Sequence, residues 1–323
     1  VAPGVTSGIA IRADDVVIDL AGYTLSGPGS GLSAAVSAEA TTRAEVRNGA
    51  VRDFGYIGIY LGPQGTAENL QIENCAAGLA LSAGGSARRV HITGSELIGI
   101  QTVGGAEIID CSVSDCAAGI VLFLGSTVTR CSVWGSDSFG FLSLGPVIYR
   151  DCTVIGAVEE GFSGQSGAVF ENCTALAAGT GFEGENGVTI RNCTARLCSV
   201  EGIAVSGSVG SSLVADCHVE NAPIGIRVEQ PAMINGNFIN NASTSGIQMG
   251  ATTTDVALLD NVVMNAASAI HHLGTGANCF YARNTYTGGV VLGANATWGP
   301  LVIGVNNVDD DAGGDSPWAN IQH

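Results

Sequence analysis

The chain has 323 residues, a formal net charge of −17 and 46% hydrophobic residues, with 47 glycines and only 13% charged residues. This composition excludes a disordered chain and a coiled coil. The charge, 29 acidic residues against twelve arginines and no lysine, excludes nucleic acid and anionic membranes as partners.

The chain opens at Val1 close to repeat-like sequence, with no signal peptide to read. Val1 to Ser7 is too short for a capping helix, so the first coil is expected to be covered by a further segment, a neighbouring domain or another subunit. No apolar run of about 18 residues follows, so no membrane span is predicted. A glycine followed by an apolar residue recurs every 20 or 21 residues from Gly58 through Gly78, Gly99, Gly119, Gly140, Gly161 and Gly181 to Gly202, and returns at Gly225 and Gly246. A fixed period of that length means one structural unit stacked on itself.

Each period reads as three short strands. The first is glycine, apolar, variable, apolar, as in Gly202-Ile203-Ala204-Val205, with Ile203 and Val205 on one face. The second ends three residues before a recurring cysteine. A two-residue bend follows, and its second residue is Asn69, Asp110, Asp151, Asn172, Asn192, Asp216 or Asp260, types that tolerate a left-handed backbone. The third strand runs from the cysteine to the apolar residue two later. Three strands and three turns in about 20 residues make one coil of a parallel β-helix, stacked on the next at ~4.8 Å. The fold class is therefore all-β, a single parallel β-helix of roughly 13 to 14 coils. Its helix spans residues 1–289, and 290–323 form a tail packed over the last coil. Ile100, Ile120, Phe141 and Phe162 should form one inward file.

Of ten cysteines, Cys111, Cys131, Cys152, Cys173, Cys193 and Cys217 recur once per coil and point inward. They read as small apolar core residues, and bridging between adjacent coils is the alternative. Asn237, Asn261 and Asn284 continue the same position.

Gly8-Ile9-Ala10-Ile11-Arg12-Ala13-Asp14-Asp15-Val16-Val17-Ile18-Asp19-Leu20-Ala21-Gly22-Tyr23-Thr24-Leu25-Ser26-Gly27 resembles the first coil of the right-handed parallel β-helix repeat proteins of the pectate-lyase-like superfamily. Val46-Arg47-Asn48-Gly49-Ala50-Val51-Arg52-Asp53-Phe54 is similar to their second coil. Ser316-Pro317-Trp318-Ala319-Asn320-Ile321 resembles the tail of exported bacterial members without an assigned activity. The resemblance implies right-handed winding and an extracellular or cell-surface location. The motifs of its enzymes are missing: no Gly-His-Gly, no Arg-x-Lys and no Asp-Pro-His occurs.

Enzymes of this fold usually work on the outward face of one sheet, so the residue two after each repeat glycine was followed: Tyr60, Ala80, Gln101, Val121, Leu142, Ser163, Glu183, Ala204, Arg227, Gln248 and His271. The densest carboxylates, Glu159, Glu160, Glu183, Glu185 and Glu201, fall on three consecutive coils and could act as acid and base, hold calcium, or form a solvated acidic turn. The candidate catalytic set is Glu160, Glu183, Glu201 and Arg227, the last able to bind a sugar carboxylate. His271 and His272 point to opposite faces, and His91 and His218 receive no role. Val121, Phe123, Leu142 and Leu144, with Trp134 in the turn between, form an apolar candidate interface. Asp309, Asp310, Asp311 and Asp315 form an oxygen-rich loop that could take calcium, without EF-hand spacing.

Two functions follow. The preferred one is a non-catalytic exported rod that binds a polysaccharide, a protein or its own copies through lateral or N-terminal contacts, and requires no cofactor. The alternative is a polysaccharide lyase or glycoside hydrolase acting through the carboxylate cluster.

Overall fold

The computed structural model describes residues 6–31, 33–274, 278–291, 297–298, 301–303 and 320–322. Every regular element among them is a β-strand and every pairing given with its register is parallel. The architecture is the expected parallel β-helix. The chain divides into two compact units, residues 1–163 and 164–323.

In the first unit one full turn is Ile98–Thr102, Glu107–Ile109 and Ser112–Ser114. The next is Ala118–Leu122, Thr127–Thr129 and Ser132–Trp134. Each strand pairs with its counterpart one turn on, so like positions stack: Ile59 on Leu79, Leu79 on Ile100, Ile100 on Ile120 and Ile120 on Phe141. All five are fully buried, and the Phe141 and Phe162 rings lie parallel with centroids 4.9 Å apart. The inward file thus holds, and each such side chain contributes roughly 1.5–3 kcal/mol of burial.

The repeat glycine has a steric cause. A Cβ on Gly99 would stand 2.3 Å from Val113 Cγ1 and 2.8 Å from the Gly119 carbonyl oxygen. A Cβ on Gly119 would stand 2.4 Å from the Gly140 carbonyl oxygen. The first strand enters the turn against the third strand's inward valine, and only a residue without a side chain fits there.

The expected bend residues all adopt positive φ: Asn69 53°, Asp110 54°, Asp151 55°, Asn172 56°, Asn192 53°, Asp216 53° and Asp260 55°. Arg89, Arg130 and Arg283 occupy the same position with φ of 51°, 51° and 56°. Each reaches back one turn. Arg130 Nε and Nη2 donate to Asp110 Oδ1 and Oδ2 at 2.7 and 2.9 Å, and Arg283 grips Asp260 in the same way at 2.7 and 2.6 Å.

In the second unit one full turn is Thr180–Glu185, Thr189–Arg191 and Thr194–Arg196. Its later strands run longer: His218–Val228 and Phe238–Met249 each carry the third strand of one turn into the first of the next. Phe182, Ile203, Ile226, Ile247 and Ile270 stack in register, fully buried. Thr297–Trp298 pairs with Phe280–Ala282, and Asn320–Gln322 pairs with Thr285–Tyr286 and Leu301–Ile303. Most of the segment 290–323, assigned above as a tail over the last coil, lies outside the described residues.

All ten cysteines are buried as thiols. Asn237, Asn261 and Asn284 are fully buried. The Asn237 amide donates to Val214 O and Asn261 Oδ1 at 3.0 and 2.9 Å, and the Asn261 amide donates to Ile234 O and Asn284 Oδ1 at 2.8 and 2.9 Å. Each amide oxygen also accepts a backbone N–H from the turn before.

Candidate functional site

Alternation along the first strand of each turn puts one side chain per turn on the outer face. In the second unit Glu183 pairs with Ala204, Ala204 with Arg227, Arg227 with Gln248 and Gln248 with His271. These residues form one straight row. Ala204 faces outward yet is only 1% exposed, so its neighbours in the row close over it. His271 is half-buried in the row, whereas His272 points inward and its Nδ1 lies 2.7 Å from the Tyr281 hydroxyl. The two histidines thus divide between the faces, and burial holds the His272 ring below its ordinary pKa.

Arg227 organises the row. Its Nε stands 2.7 Å from Glu201 Oε1, and its Nη1 donates to Glu229 Oε1 at 2.7 Å. Glu201 begins the strand Glu201–Ser206, pairs with Thr180 and Ile224, and is 5% exposed. Its second oxygen, Oε2, is buried without a hydrogen-bond partner. Burial pushes the Glu201 carboxyl above its ordinary range; Arg227 opposes this, while the charges of Glu183 and Glu229 add to it. Burial works against the Arg227 charge, but Glu201 and Glu229 outweigh it and raise the guanidinium further. Two carboxylates, Glu201 and Glu229, thus lie against the one guanidinium. Glu229 was not singled out from the sequence. It lies two residues after Arg227, just past the end of the strand His218–Val228, and that spacing was the readable signal.

The other expected site residues are placed as follows. Glu160 lies on Glu160–Gln165 in the first unit, and its carbonyl accepts the Gly140 N–H at 2.9 Å. Glu159 Oε2 accepts the Ser138 hydroxyl at 2.7 Å. Glu183, Glu201 and Arg227 come together in the second unit. Val121 and Leu142 are register partners, with Val121 8% exposed, and Leu144 is donor to Leu122 O beside them. Trp134 does not join them. It ends the third strand Ser132–Trp134, in register with Ser114 and Ile155, whereas Val121 and Leu142 lie on first strands. No group of three or more His, Cys, Asp or Glu side chains fit to hold a metal occurs among the described residues. Asp309, Asp310, Asp311 and Asp315 lie outside them.

Comparison with known proteins adds the fold family. The sequence model of a family described as a right handed beta helix region matches residues 34–182 and 147–300. No curated protein matches the chain by sequence. Among solved structures the chain is similar to the A-module of mannuronan C-5 epimerase AlgE6 from Azotobacter vinelandii, with a TM-score of 0.64, 14% identity, and 88% of this chain and 91% of that one covered. It is also similar to tailspike protein 3 of bacteriophage CBA120, with a TM-score of 0.51 and 14% identity over 76% of this chain and 53% of that one. A third similar structure is the tailspike of E. coli bacteriophage HK620 in complex with a pentasaccharide, with a TM-score of 0.51 and 11% identity over 99% of this chain and 72% of that one. At these identities the likeness is one of fold.

Proposed function

We propose that this chain, which belongs to the right-handed β-helix family, binds a glycan without cleaving it, along the outer row of its second unit. The observation that carries the reading is the register itself: Glu183, Arg227, Gln248 and His271 stand on one line, one turn apart except across Ala204. Adjacent strands repeat at ~4.8 Å, a step comparable with one pyranose ring. The row alternates acceptor, donor and two groups able to do both, which matches hydroxyls that donate and accept. Arg227 is held by Glu201 and Glu229 before any ligand arrives, so little side-chain freedom is lost on binding. The solved structures of similar fold include an epimerase named for mannuronan and a tailspike holding a pentasaccharide, and both support a glycan as the ligand class. A glycan partner outside the cell fits an exported protein.

The test is binding of soluble neutral and acidic polysaccharides by calorimetry. Arg227→Ala and Gln248→Ala should each weaken binding by about tenfold, or ~1.4 kcal/mol. Binding unchanged in both variants would remove the row from the function.

One observation favours a second reading, a lyase or hydrolase. Glu201 combines a burial-raised carboxyl with a bare Oε2, and the Glu183 charge is among those acting on it. A burial-raised carboxyl close to a second carboxyl is the arrangement from which a general acid and its partner can be built. Turnover of any polysaccharide, abolished by Glu183→Gln or Glu201→Gln, would replace the first reading by this one.

A further inference from the structure

The first unit carries an open groove of about 470 Å³, lined by the third-strand residues Thr24, Ala50, Gln71 and His91 and by the bend residues Asn69 and Arg89. Thr24 pairs with Ala50, Ala50 with Gln71 and Gln71 with His91, so these four form an outward file of their own. Gly22 lies at its edge with φ of +84°, a backbone conformation that favours glycine. The small Ala50 side chain leaves the floor low between Thr24 and Gln71.

We propose that this groove is a binding site for a short neutral sugar, separate from the row in the second unit. Its volume falls within the ~300–1,000 Å³ of small-molecule sites. No carboxylate lines it, in a chain with 29 acidic residues. The Arg89 charge is already answered: Nη2 lies 2.5 Å from Glu68 Oε1, and Nε donates to Asn69 Oδ1 at 2.6 Å. That favours an uncharged ligand over an acidic one. The polar groups that remain are the Thr24 hydroxyl, the Gln71 amide and the His91 imidazole, a set matched to sugar hydroxyls. Ser112 Oγ lies 2.7 Å from His91 Nδ1, which leaves Nε2 for the ligand.

The inference does not rest on the row, and one experiment reads both. Neutral trisaccharides of glucose, galactose and mannose, with a trisaccharide of uronic acids as the charged comparison, are titrated into the full chain by NMR. The imidazole signals of His91 and His271 are followed, the first reporting the groove and the second the row. The expected result is a saturable shift of His91 with at least one neutral trisaccharide, weaker with the uronate. The same shift should weaken at least tenfold in Gln71→Ala and vanish in Ala50→Trp, which fills the floor from the outward face. Both variants are first checked for an unchanged melting transition. If Ala50→Trp melts early, Gln71→Ala alone decides. The proposal is overturned if His91 stays still with every neutral probe, if the uronate binds more tightly, or if Gln71→Ala leaves the affinity intact. A shift confined to His271 would support the row and reject the groove.

Discussion

Two stretches of the helix solve the same burial problem with different atoms. At the inward position next to the bend, the turns from Cys111 to Cys217 carry thiols and the later turns carry the amides of Asn237, Asn261 and Asn284. The bonding plan is shared. In the thiol stretch, Cys131 Sγ donates to Ile108 O of the previous turn at 3.6 Å and accepts the Cys111 backbone N–H at 3.4 Å. In the amide stretch, Asn237 Nδ2 donates to Val214 O at 3.0 Å and Oδ1 accepts the Cys217 N–H at 2.9 Å. Sulfur makes those bonds long and weak, so the thiol acts mainly as a small apolar filler. The amide makes them short, then adds a link to the next amide, so the later turns are tied side chain to side chain. A core position can therefore change chemistry along a repeat while its geometry stays fixed.

The largest expected effect tests that difference. Asn261→Leu removes both acceptor bonds that Asn237 and its backbone make to Oδ1 and leaves Ile234 O without its donor. Each orphaned buried group costs ~1–3 kcal/mol, so a loss above about 3 kcal/mol is expected in the unfolding free energy obtained from urea titration. Cys131→Ala removes one small, weakly bonded side chain and should cost only about 1 kcal/mol, the scale of a single buried methylene plus its void. Equal losses would break the comparison.

Thiol reactivity sharpens it from another side. Burial pushes the Cys75 and Cys116 thiols up, and the Cys198 thiol up to about 11. At these three positions the reactive thiolate is scarce at neutral pH, and at all ten burial closes access. Iodoacetamide should leave the native chain unlabelled over hours and modify all ten cysteines after denaturation. Rapid labelling of the native chain would mean that the turns open locally.

The sequence made the periodic part of this legible and the pairwise part illegible. The inward file and the Asn and Asp bends follow from one-residue preferences repeated at a fixed interval. The arginine bends do not. Arginine has no local reason to take a left-handed backbone, and Arg130 does so facing Asp110, twenty positions earlier on the neighbouring turn. Such a pairing can be read only once the stacking register is known. Trp134 shows the same limit on a smaller scale. The third strand was expected to start at its cysteine, but it runs Ser132–Trp134 and so takes the tryptophan out of the turn. Glu201 was legible as an acidic residue on the right coil. Its burial was not, because that depends on Arg227, a full turn on, lying against it.

Glu201 is the intermediate case between thiol and amide: polar and buried, but only half satisfied. Its folded-state carboxyl lies above the ordinary 4.5, with burial as the main cause. In the window above 4.5 the folded chain then holds a proton that the unfolded chain has released, so stability falls as pH rises through that window. The contribution is complete below the unfolded value and is lost once pH passes the folded one. Glu201→Gln removes the titration while keeping the shape and an acceptor for Arg227, which retains Glu229. The melting temperature of the variant should therefore gain on that of the parent chain between about pH 4 and pH 7, by an amount smaller than either core substitution produces. The opposite slope, with the variant losing ground as pH rises, would mean that the ion pair with Arg227 outweighs burial. Glu201 would then be an ionised structural anchor, and the acid–base reading of the row would fall with it.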